Sequence, residues 1–191
     1  DEAADFYRSA LEQLPESSWR NRFAAHQGLA HCLSASSLSE GGRSEGCNLA
    51  AASEQLTLAA TVLERHVEAD RGMVAWLEHG RGALARRRGQ ADAADRHYLQ
   101  AMEVFEERGD LLDLALVAVD RAELLVESGR LADLGVLGRS VMSWLPQLQG
   151  NRAGGAALWE LVRCLERGEL ALGLVVSVST EIDRARRLAR G

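Results

Sequence analysis

The chain has 191 residues, a formal net charge of −6, 47% hydrophobic and 26% charged side chains, a balance that suits a packed protein and not a disordered one. The acidic balance weighs against nucleic-acid binding, which needs a basic face. All of its basic residues other than histidine are arginine, so Schiff-base lysine chemistry and a P-loop lysine are excluded.

With only two prolines, Pro15 and Pro146, the chain favours helices over turn-rich sheets. Residues 2–14 carry an apolar stripe at Ala3, Tyr7, Ala10, Leu11 and Leu14, ended by Pro15. A second helix is predicted at about 18–36 with Trp19, Phe23, Leu29 and Leu33 inward. A Ser/Gly-rich segment at 36–46 then reads as a loop and a candidate site of proteolytic nicking. Further helices are predicted at about 48–69, 71–88, 90–108, 111–127 and 130–148, followed by two more at about 153–167 and 169–188. The last contains a β-prone run, Leu174 to Ser179, but Leu172, Val175, Val176, Ser179 and Ile182 keep helical spacing. Single glycines separate most of these segments (Gly89, Gly109, Gly129, Gly150, Gly168), where a left-handed C-cap is needed. Such short links force antiparallel neighbours. The expectation is an all-α chain of about nine helices, an α-solenoid of antiparallel helix pairs.

A ladder of small and aromatic residues recurs. Gly82, Gly89, Ala94, Tyr98 and Ala101 form one clear copy. Ala122, Gly129, Val141 and Pro146 form a degenerate one, 40 residues on. Ala3, Tyr7, Ala10 and Pro15 match the second half of a copy. This pattern resembles a tetratricopeptide repeat, with a period longer than the usual ~34 residues. The resemblance implies a right-handed superhelix forming one domain over 1–191: a half repeat at 2–15, repeats at about 18–69, 71–108 and 111–148, and a capping pair at 153–189. It also implies that the chain is the C-terminal piece of a longer array.

The search for chemistry leaves little. His26 and His31 lie five apart, about 140° around a helix, and with Cys32 and Cys47 form no metal-ligand pattern. They read as surface histidines beside a core cysteine. Cys32 follows His31 directly, and neighbours on a helix do not face each other. Cys164 falls on the apolar face of Leu161 and Leu165. Carboxylate pairs such as Glu106–Glu107 and Asp92/Asp95 read as solvated helix faces. Arg86–Arg88, and Arg184, Arg186, Arg187 and Arg190, close helices, where cations offset the macrodipole. No catalytic residue, cofactor or metal is predicted.

In the tetratricopeptide resemblance the first helix of each pair lines a concave groove. Carried onto this sequence, the groove presents Gln27 and His31, then Trp76, His79, Ala83, Arg86 and Arg87, then Val119, Glu123 and Glu127. An aromatic side chain with arginines and carboxylates suits a protein or peptide partner. The carboxylate clamp of chaperone-binding relatives is missing, because Gln27, His79 and Val119 stand at its positions. The expected function is a scaffold or regulatory module that binds another protein. The alternatives are a sensor or inhibitor arm of a bacterial signalling or defence system, and an enzyme using Cys32 or a carboxylate pair. Three irregularly spaced cysteines and no apolar run of about 18 residues lead to the expectation of a cytoplasmic protein, with exposed repeat ends offering a route to self-association.

Overall fold

The computed structural model describes residues 2–35, 48–66 and 70–144, with the isolated positions 147 and 163. These form seven helices: α1 (Glu2–Gln13), α2 (Trp19–Ala35), α3 (Leu49–Glu64), α4 (Arg71–Arg87), α5 (Ala91–Arg108), α6 (Leu111–Glu127) and α7 (Leu131–Trp144). No strand occurs among the described residues. The predicted loop at 36–46, the helices at 153–167 and 169–188, Cys47, Cys164 and the C-terminal arginines lie outside them.

The chain divides into two compact units, 1–97 and 98–191, with the border inside α5. In the first unit α2 packs against both α1 and α3, and α4 packs against α3 and α2. The core there is built from Phe23, Ala30, Ala52, Leu56, Ala59, Leu63, Leu77 and Leu84. The alanines matter as much as the leucines. Ala52 and Ala59 are wholly buried, and a methyl side chain lets two helix backbones approach within the short interaxial range. Each buried leucine contributes roughly 1.5–3 kcal/mol relative to exposure.

Two predictions for this unit need correction. The inward alanine of α1 is Ala4, not Ala3, which is exposed. Adjacent alanines cannot be told apart by periodicity, and the contact with α2 chooses between them. Helix α3 ends at Glu64, not 69, with Arg65 as its C-cap. Just past that end His66 stacks on Trp19 of α2, with ring centroids 4.6 Å apart, and the Arg20 guanidinium lies 4.4 Å from the Trp19 ring centre. Asp70 then starts α4 by accepting the Gly72 N–H. At the end of α1 the orphan carbonyls of Leu11 and Leu14 accept hydrogen bonds from Arg22 Nη1 of α2, at 3.2 and 2.9 Å.

Three helix ends share one geometry. Gly89, Gly109 and Gly129 have φ of 71°, 72° and 70°. After each, the next residue's N–H reaches back to a carbonyl five residues earlier: Gln90 to Ala85 at 3.0 Å, Asp110 to Phe105 at 2.9 Å, Arg130 to Leu125 at 2.9 Å. Each glycine N–H bonds in turn to the carbonyl three residues back, Arg86, Glu106 or Val126. These are Schellman caps, spaced 20 residues apart. The residue five beyond each glycine is buried: Ala94, Leu114, Leu134. Gly138 stands at the position of Tyr98 two half-units on, and is buried like it.

In the second unit α6 packs against α7. Tyr98, Ala101, Phe105, Val117, Ala118, Ala122, Leu125, Leu137 and Val141 are buried. Small residues again alternate with large ones, the arrangement that fills space between closely packed helices.

Candidate functional site

The first unit holds a mostly apolar cavity of about 490 Å³, within the size range of small-ligand sites. Helix α2 contributes Phe23, Gln27, His31 and Ser34. Helix α3 contributes Ala52 and Leu56, and α4 contributes Trp76, His79, Gly80, Ala83 and Leu84. Helical spacing explains the set. Positions 23, 27, 31 and 34 fall on one face of α2, and 76, 79, 80 and 83 on one face of α4.

Gly80 opens the floor. A Cβ there would lie 3.0 Å from Leu56 Cδ2 and 3.9 Å from Gln27 Nε2. That Nε2 is buried and has no hydrogen-bond partner among the described residues. A buried amide donor without an acceptor costs about 1–3 kcal/mol, so a carbonyl or carboxylate oxygen brought to it is rewarded. Trp76 and His79 meet edge to face, ring centroids 5.2 Å apart. Trp76 packs partly against the core and partly lines the cavity. His31 is exposed and stands at the rim.

Of the predicted groove residues, Gln27, His31, Trp76, His79 and Ala83 therefore come together. Arg86, half-buried, and Arg87, exposed, close α4 outside the cavity wall. Val119, half-buried, Glu123, half-buried, and Glu127, exposed, lie on α6 in the second unit. The walls from α3, Ala52 and Leu56, escaped the sequence, because the groove was assigned only to the first helix of each pair.

Other side chains behave differently from expectation. His26 is buried, 7% exposed, and its Nδ1 donates to Gln55 Oε1 of α3 at 2.9 Å. Cys32, expected in the core, is a free thiol only partly buried. Asp95, expected on a solvated face, is buried. Glu106, Glu107 and Asp92 are exposed as expected. Among the described residues no group of three His, Cys, Asp or Glu side chains could hold a metal ion, and no helix is long and apolar enough to cross a membrane. Compared with family models, curated proteins and solved structures, the chain matches none.

Proposed function

We propose that the chain is a protein-interaction module, a tetratricopeptide-like solenoid that takes a short apolar segment of a partner protein into the α2–α3–α4 cavity. The observation that carries this is the joining of an apolar floor to one unmet donor. Leu56, Trp76 and Leu84 offer apolar surface, and Gln27 Nε2 offers an N–H with no acceptor. A peptide supplies both complements at once, a bulky side chain for the floor and a backbone carbonyl for the amide. Trp76 is the natural anchor, since tryptophan dominates the energetics of many interfaces.

The test is selection from a displayed peptide library against the whole chain. Enriched peptides are expected to carry one or two bulky apolar residues and to shift tryptophan fluorescence. Trp76→Ala is expected to weaken them roughly tenfold or more, and Gln27→Ala by a smaller factor. Failure to enrich any peptide, or binders indifferent to both substitutions, would overturn the proposal.

A further inference from the structure

A second cavity, of about 170 Å³, lies between α3, α4 and the start of α5, and its lining is polar where the first is apolar. Ser53 and Thr57 stand one turn apart on α3. Arg81 and Arg88 stand seven residues apart on α4 and its cap, hence on one face. Gln90 and His97 add the remaining polar groups, and Leu56, Leu84, Ala85 and Ala93 form the apolar part of the wall. Two arginines, a histidine, an amide and two hydroxyls thus converge on one small space from three directions.

The hydrogen bonds show which of these groups are committed. Glu78 uses one oxygen to accept from Arg81 Nη1 and the other to accept from His97 Nδ1, each at 2.7 Å. Its carboxylate therefore fixes both side chains, and it does not itself line the cavity. Arg88 Nη2 donates to the Leu49 carbonyl at 3.1 Å, and among the described residues Arg88 pairs with no carboxylate. Each guanidinium has five N–H donors, so both keep several. The side chains of Ser53 and Gln90 make no hydrogen bond among the described residues. Thr57 donates its hydroxyl proton to the Ser53 carbonyl at 3.0 Å.

We propose that this cavity binds a phosphate group, as the free anion or as a phosphomonoester. The donors are more than a planar carboxylate uses, since one arginine fork satisfies it. A tetrahedral oxyanion can engage Arg81, Arg88, Gln90 and Ser53 together, and paired arginines are suited to phosphate. With two guanidinium charges against one carboxylate already engaged by Arg81 and His97, the balance at the cavity favours an anion. Leu56 and Leu84 line both this cavity and the peptide cavity, but none of the polar residues here lines that one, so the phosphate test does not depend on peptide binding.

Inorganic phosphate and O-phosphoserine, titrated into the whole chain at constant ionic strength with chloride and acetate as controls, separate the cases. Amide resonances of Ser53, Gln90, Ala93 and His97 are expected to shift with phosphate and not with the controls. Binding of O-phosphoserine as well as phosphate would identify a monoester site, and phosphate alone a free-anion site. Arg88→Gln is expected to weaken binding roughly tenfold or more, while Arg8→Gln, at an exposed pair with Asp5, leaves it unchanged. Equal shifts with acetate, shifts spread over all arginines, no shifts, or unaltered affinity in Arg88→Gln would each overturn the assignment. The resonance map on the unaltered chain decides even if the variant does not fold.

Discussion

The ring of Tyr7 in α1 lies directly against the bare Cα of Gly28 in α2, so closely that a Cβ at position 28 would fall inside the van der Waals surface of Cζ, Cε1 and Cε2. Helix propensity alone favours Gly28→Ala by about 1 kcal/mol. The overlap reverses the sign, because overpacking costs about 1–3 kcal/mol. Gly28→Ala is expected to lower stability and to speed amide exchange in α1 while sparing α3 and α4. A rise in unfolding midpoint would show that the ring moves aside freely.

The capping glycines allow a comparison of opposite signs. Gly109 has φ of 72° with open space around it, so Gly109→Ala carries only the left-handed penalty, about 1–2 kcal/mol destabilising. Gly135 sits inside α7 with ordinary φ, and its nearest neighbour, Arg139 Nη1, is 3.8 Å away. There alanine is expected to stabilise by about 0.5–1 kcal/mol. Urea denaturation of both variants checks the pair, and the same sign for both would contradict the cap geometry.

His26 and Gln55 form a hydrogen bond across α2 and α3 at a buried position. Gln55→Leu strands the His26 N–H and is expected to cost about 1–3 kcal/mol. Adding His26→Leu should restore part of that, since no buried donor is then left unmet. A double-mutant cycle measures it, and simple additivity would mean that the two side chains do not cooperate.

Phe6 is 69% exposed and meets Tyr7 edge to face, ring centroids 5.6 Å apart. Phe6→Ser is therefore expected to change unfolding free energy by less than about 0.5 kcal/mol. Where exposed apolar rings drive self-association, the same change should lower it, as sedimentation at increasing concentration would record.

Helices were legible wherever a stripe and a stop signal coincided. Pro15, Gly89, Gly109 and Gly129 each ended a helix within a residue or two of its observed boundary. Between Glu64 and Asp70 no glycine or proline intervenes, and Val67 prolonged the apolar spacing, so the end of α3 was invisible. The inward side of α1 was ambiguous because Ala3 and Ala4 are chemically identical. The burial of His26 could not be read, since Gln55 is 29 residues away and nothing local announces it. Gln27, His31, Trp76 and His79 were reached only through the tetratricopeptide resemblance, which assigns the first helix of each pair to a groove. Arg88 was read only as part of a helix-end cluster. Its seven-residue spacing from Arg81, with Ser53 and Thr57 four apart, was the signal that the two arginines share a face.

The equal spacing of Gly89, Gly109 and Gly129 makes the chain from α4 to α7 a phased track. Each residue advances a helix by about 100°, so deleting one residue between Gly109 and Gly129 would rotate whatever follows it against the next cap. Leu125 and the carbonyl it lends to Arg130 would then leave the face they now occupy. Point changes on the outer faces are tolerated within this scheme, whereas one-residue insertions and deletions inside α6 are not.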